Sequence, residues 1–505
     1  MATRPVALIA GALVAGLTLG PVAAVAWRAG VLTGLEPADW AALRFTLVQA
    51  LLSAALSVAF AIPVARALAR RAFPGRGVLI ALLGAPFILP VIVAILGLLA
   101  VFGRAGVLNR VLEAFGLPEV SIYGLHGVVL AHVFFNLPLA TRLILQGWLA
   151  IPGERFRLAA TLAFTSRDVF RVLERPMLAS ILPGAFAVIF VICLSSFAVA
   201  LTLGGGPRAT TLELAIYQAV RFDFDLAHAA SLALVQLGLA LVAGLVALRL
   251  SGAGLGAEGM DRVVPRWDAG GTGLRLLDTL WLALVALFLL TPLGLVAARG
   301  ALGVFSLPGP VWTAAAHSLA VALGSTALCI FWAIPLATRR GELLGLAGIA
   351  LSPLVLGTGL FLILRAFVNP FSLALPVTGV VNALLSLPFV LRILRPEAEA
   401  LQQDFSRLGG ALGLSPYAWL RWVYLPRMRR PLGFSAGLCA ALSMGDLGVI
   451  ALFADPDRAT LPLQIYRLMG AYRMDQASAA AVLLLALSLG LFWIFDRGGR
   501  ANAGS

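Results

Sequence analysis

Asn136-Leu137-Pro138, continued by Arg142, Leu158, Leu162, Arg171 and Pro176, returns 250 residues later as Ser386-Leu387-Pro388, Arg392, Leu408, Leu412, Arg421 and Pro426. Ala209-Thr210 matches Ala459-Thr460 at the same offset, which then slips to 249, so that Ile216-Tyr217 matches Ile465-Tyr466. Upstream, Pro63 in Ala-Ile-Pro-Val-Ala matches Pro335 in Ala-Ile-Pro-Leu-Ala. A register held over about eighty residues is the trace of a whole duplicated bundle rather than of a short motif. Two copies of one membrane bundle, facing each other around a path, are a common ground plan of transporters.

Composition says what kind of bundle. Of 505 residues, 61% are apolar and 12% charged, with mean hydropathy +0.99; a soluble domain has about 25% charged residues. Apolar runs of about 20 residues, enough for a helix to cross the hydrocarbon core, recur from end to end. The 52 glycines suit helices that approach closely in lipid. The expected fold is an all-α polytopic membrane protein of about 12 transmembrane helices. The spans fall near 6–27, 43–65, 78–102, 126–147, 181–203 and 227–249 in the first half. In the second they fall near 276–298, 314–337, 344–367, 378–395, 433–454 and 476–495. The first run follows Arg4 and mimics a signal peptide, but its length reads as an uncleaved span.

The net charge of +14 comes from arginine alone. These arginines sit in short loops, so topology explains them better than nucleic acid does, and no nucleic-acid partner is expected. Arg66, Arg70, Arg71 and Arg76 follow the second span, Arg155 to Arg175 the fourth, Arg339 and Arg340 the eighth, and Arg395 to Arg430 the tenth. The opposite loops hold fewer, such as Arg104, Arg110, Arg208 and Arg458. Both termini are therefore expected in the cytoplasm. Between the halves, Ser251 to Leu274 is glycine-rich and lacks apolar periodicity, which reads as a flexible cytoplasmic linker.

The loops after spans four and ten run about thirty residues each and are amphipathic. Each carries a short helix pattern edged by small residues, then a second amphipathic stretch closed by Pro176 or Pro426. One reading is docking in a groove of another protein; the other is a helix lying on anionic lipid. Duplication at equivalent positions favours a twofold-related partner.

These loops resemble the EAA loop of ABC-importer membrane subunits: Glu-Ala-Ala, three residues, Gly, then a hydrophobic-Leu-Pro. On that pattern Arg157, Leu158, Ala159 and Ala163, with Pro176, fill the first copy. Arg407, Leu408, Gly409 and Gly413, with Leu425-Pro426, fill the second. Arginine stands where the family has glutamate in both, so the resemblance does not carry over that glutamate's docking salt bridge. Over almost its whole length the chain resembles the fused permeases of thiamine ABC importers. The resembling stretches include Tyr123-Gly124-Leu125-His126-Gly127, Leu203-Gly204-Gly205-Gly206-Pro207 and Ser443-Met444-Gly445-Asp446-Leu447-Gly448. Ferric-ion permeases share the fused architecture.

The resemblance implies two tandem six-helix type I permease modules, with module 1 at 41–249 and module 2 at 312–495. Segments 1–40 and 276–311 would each hold a leading span and external loop, with a linker at 250–275 and a tail at 496–505. It implies a transport subunit rather than an enzyme, in a bacterial inner membrane. Two copies of an ABC ATPase and an extracytoplasmic binding protein would be its partners, with a small-molecule cargo. No cofactor is expected on this chain, since ATP and Mg would be bound by the ATPase. The competing class is an ion-gradient-driven secondary transporter, which would place several charges inside its spans.

Asp446 is the notable charge within an apolar run, and its counterpart at the offset of 250 is Ser196. Beside Gly445 and Gly448 it reads either as a cavity carboxylate facing a cationic cargo or as a group satisfied by neighbouring backbone. Leu203 to Pro207 lacks the Lys-Ser/Thr of a P-loop. Leu212–Phe222 and Leu461–Tyr472 read as external amphipathic helices, either solvated or part of a docking platform. Cys193, Cys329 and Cys439 lie in apolar runs without ligand spacing, and the four histidines do not cluster, so no metal site is expected.

Overall fold

A computed structural model describes residues 4–29, 35–84, 88–250, 266–342, 345, 351–453 and 455–500. Linker residues 251–265, Pro86 and the start of the span expected near 344–367 lie outside them. Secondary structure among the described residues is helical, because a backbone in hydrocarbon must satisfy its own donors and acceptors. The chain is a multi-pass membrane protein.

Ten helices among the described residues are long and apolar enough to cross a bilayer. The other two of the twelve expected spans are shorter than that. One is Pro353–Arg365, of 13 residues; the other is Arg429–Met444, of 16, followed after a break by Gly448–Phe453. The first half breaks at the matching place, between Arg175–Leu194 and Phe197–Leu203. The third span is likewise divided, into Arg76–Leu82 and Val91–Phe102, with Pro90 capping the second piece. Hydropathy runs straight through these breaks, which is why the sequence reads each as one continuous span.

The duplication reappears as geometry. Leu212 N–H donates to Thr46 Oγ1 at 2.9 Å, and Leu461 N–H donates to Ser318 Oγ at 2.8 Å. The leading helix of each half crosses to the other half. Arg4–Ala29 packs on Pro353–Arg365, and Thr272–Gly300 packs on Val91–Phe102. Both crossings depend on a glycine facing a proline carbonyl. A β-carbon on Gly359 would sit 2.3 Å from Pro21 O, and one on Gly97 would sit 2.7 Å from Pro292 O. Small residues let backbones meet this closely, and in lipid that packing replaces the missing hydrophobic force between helices. Asp278, at the start of the second leading helix, is buried between Arg70 and Arg71 of the first half, with Arg71 Nε 2.7 Å away.

The two helices expected outside form as Leu212–Arg221 and Leu461–Gly470, but they are not solvated loops. Leu212, Ile216 and Ala219, like Leu461, Ile465 and Leu468, are buried in the core. Each helix is thus part of the bundle's outer layer.

Candidate functional site

The two repeat-equivalent breaks, at Ser196 and Asp446, face one another across the junction of the halves. Between them lies a cavity of about 380 Å³. The two halves contribute to it at repeat-equivalent positions: Phe135 and Leu385, Ile192 and Leu442, and three polar pairs. The pairs are His132 with Asn382, Asn136 with Ser386, and Ser196 with Asp446. Broken helices at mid-bundle leave backbone groups that only a cavity or a polar side chain can satisfy.

The polar groups are held rather than loose. His132 spans Ser53 Oγ at 3.2 Å from Nδ1 and Ser196 Oγ at 2.6 Å from Nε2. Asn136 Nδ2 donates to His132 O at 2.9 Å, and Asn382 Nδ2 donates to Ser443 Oγ at 3.0 Å. Asp446 sits in the break before Gly448–Phe453, and its Oδ1 accepts from Gly448 N–H at 3.2 Å. That satisfies one of the free donors of a helix's first turn. Its Oδ2 is buried without a hydrogen-bond partner among the described residues. One oxygen thus serves the backbone, and the other is left over on a residue that lines the cavity. Among the described lining residues it is the carboxylate, and no arginine accompanies it.

Ser196, Gly445, Asp446 and Gly448 all line the cavity. Gly445 approaches Pro90 of the other half, where a β-carbon would come within 3.1 Å of its Cα. Gly448 has ordinary room around it. His132, Asn136, Asn382 and Ser386 went unnoticed as site residues, although the 250-residue offset pairs them. A search for polar residues at matching repeat positions inside spans would have found them. Among the described residues no group of His, Cys, Asp and Glu is arranged to hold a metal.

The amphipathic loops lie apart from the cavity. In the first, Gly153–Thr161 is cut off from the preceding span at Ile151-Pro152. In the second, the helix runs unbroken from Ala374 to Ala411 despite Pro388 and Pro396. Both helices then end on a left-handed residue, Ala163 at φ 53° and Gly413 at φ 61°. A short helical turn with a π stretch follows each, at Phe170–Glu174 and Leu420–Tyr424. Ala159 and Gly409 face inward; a β-carbon on Gly409 would meet the Trp419 ring at 2.5 Å. Outward, Leu158, Leu162 and Val172 match Leu408, Leu412 and Trp422, each more than half exposed. Arg157, Arg407, Pro176 and Pro426 are exposed with them. The two loops thus present equivalent exposed apolar faces.

No family model matches the chain. It is 39% identical over 533 residues to the thiamine transport system permease protein of Escherichia coli (strain K12), covering 98% of each chain. With the protein of the same name from Brucella abortus (strain 2308) it shares 38% over 520 residues, 98% of this chain and 95% of the relative. A more distant likeness, 33% over 218 residues and 41% of this chain, is to the molybdenum transport system permease protein of Mycobacterium bovis.

Proposed function

The chain belongs to the family of thiamine transport system permeases, and from that premise we propose that it carries thiamine through the cavity between its halves as the membrane subunit of an ATP-driven importer. The observation that carries this reading is the cavity's lining: matched polar positions from both halves, with a single carboxylate oxygen to spare on Asp446. Thiamine bears a permanent positive charge on its thiazolium ring. A carboxylate ~4 Å from it, at an effective dielectric near 20, contributes about 4 kcal/mol before desolvation is subtracted. The apolar remainder of the lining suits flat heteroaromatic rings.

In this reading an extracytoplasmic binding protein delivers the cargo to the outer layer of the bundle. Two ATPase subunits, which hold ATP and Mg, receive the two loops on the cytoplasmic side of a bacterial inner membrane, with both chain termini in the cytoplasm. The exposed leucines, Val172 and Trp422 give each loop an apolar anchor, and the neighbouring arginines take the place of the family's glutamate. ATP-driven closure of the ATPase pair draws the loops together. The helices leading from them to the cavity then swing the halves between inward- and outward-facing states. Nucleotide biases a two-state element, which is the physical content of coupling.

The test is uptake by the chain reconstituted in vesicles with its ATPase subunits and binding protein. Thiamine should accumulate only with ATP on the ATPase side. Accumulation that persists without ATP, driven by a proton gradient alone, would place the protein among secondary transporters instead.

A further inference from the structure

Arg266 lies at the end of the linker between the halves, and it is locked in place. Its Nη1 contacts Glu174 Oε1 at 2.5 Å, while Nε and Nη2 donate to Asp268 at 2.8 and 2.7 Å. The guanidinium also stacks over the Phe156 ring at 5.1 Å. Next to it, Trp267 Nε1 donates to Phe164 O at 3.3 Å, and Ser166 Oγ donates to Asp268 O at the same distance. Arg66, from the second span, completes the cluster with Nη2 at 2.9 Å from Glu174 Oε2. The side chains of Arg266, Glu174 and Asp268 are at most 3% exposed. Burial opposes ionisation of Asp268, but the hydrogen bonds and charge of Arg266 outweigh it and hold the carboxyl below its usual range.

The partners of this segment define its place. Phe156 belongs to the helix of the first amphipathic loop, and Phe164 and Ser166 belong to its turn. Glu174 ends the π stretch that leads straight into Arg175–Leu194, which lines the cavity through Ile192. Arg266 therefore ties the loop's helix to the base of a cavity helix. Among the described residues the second loop lacks the counterparts of these partners. At the offset of 250, Glu174 becomes Tyr424, Phe156 becomes Ser406 and Phe164 becomes Leu414. That loop is instead continuous with its own span, and Arg427 stacks over Phe405 at 4.0 Å within it.

We propose that Arg266-Trp267-Asp268 is a brace for the first loop, with Arg266 as a positioning residue for coupling, so that the two loops are stiffened by different means. Continuity of the helix does the work at the second loop. At the first, where Ile151-Pro152 interrupts the helix, linker side chains replace it. A loop that must transmit a push needs a rigid path to the span it moves, and a buried ion cluster supplies one. This rests on the reading of the loops as ATPase docking sites.

The experiment compares Arg266→Ala and Glu174→Gln with the parent, as the full chain assembled with its ATPase subunits and binding protein in vesicles. Thiamine imported and ATP hydrolysed are counted per assembled complex. Import per ATP should fall roughly tenfold in Arg266→Ala, a change in coupling of the size that single positions produce. Glu174→Gln is isosteric and keeps an acceptor for Arg266, so it should fold normally and fall less. The double variant should be no worse than Arg266→Ala alone, because both remove one brace. Unchanged import per ATP in both single variants, or losses that multiply in the double, would overturn the brace. If Leu412→Asp, in the second loop, also leaves co-purification and coupling intact, the docking reading has failed as a whole. If Leu412→Asp uncouples while the Arg266 and Glu174 variants do not, only the brace has failed.

Discussion

Asp446 shows how much one position can carry. The sequence left open whether it serves backbone or cavity, and the geometry commits one oxygen to the backbone and leaves the other without a partner among the described residues. Asp446→Asn keeps the acceptor for Gly448 N–H and removes the charge. Uptake should fall roughly tenfold, about 1.4 kcal/mol, if most of the gross Coulomb attraction is offset by desolvation. Asp446→Ala should be worse, since it also exposes the donor of a helix's first turn. Affinity of the binding protein for free thiamine should stay unchanged, because that site is on another chain. Parental uptake in Asp446→Asn would leave the carboxylate a structural cap and nothing more. His132 illustrates the opposite case. Nothing in its immediate sequence marks it, and only the fold brings Ser53, Ser196 and the cavity to it.

At the scale of elements the loops were legible as a repeated amphipathic pattern, but not in their mechanics. Small residues at 163 and 413 suggested close approach by a partner. The structure adds a conformational task for both, since each sits at positive φ. Ala163 accepts the left-handed turn at a cost of about 1 kcal/mol, and Gly413 accepts it freely. Gly413→Ala should thus be tolerated, whereas a β-branched Gly413→Val should distort the turn and weaken coupling. The docking faces make a sharper prediction. Leu162→Asp or Leu412→Asp should sharply reduce co-purification of ATPase subunits while membrane insertion stays normal, because both side chains are already exposed. Undiminished co-purification and ATPase stimulation in both variants would show that these faces touch something else. The pattern alone could not show that one helix is interrupted at Pro152 and the other runs through Pro396, since proline is compatible with either outcome.

For the whole molecule, the arginine distribution predicts a topology that labelling can check. Cysteines replacing Arg155 and Arg430 should react only from the cytoplasmic side, and cysteines replacing Asp223 and Asp457 only from outside. Reaction of the first two from opposite sides would dissolve the relation between the halves. The sequence by itself determined the membrane class, the duplication, the loops and the candidacy of Asp446 and Ser196. Each of these follows from hydropathy, charge or a fixed offset, which are properties of the chain read along its length. Tertiary structure alone decided that the leading helices exchange between halves through Gly97 and Gly359, that the breaks at Ser196 and Asp446 enclose one cavity, and that Arg266 reaches the first loop. Those contacts join residues far apart in sequence, and in lipid they are set by close packing and polar pairing, which leave no periodic trace along the chain.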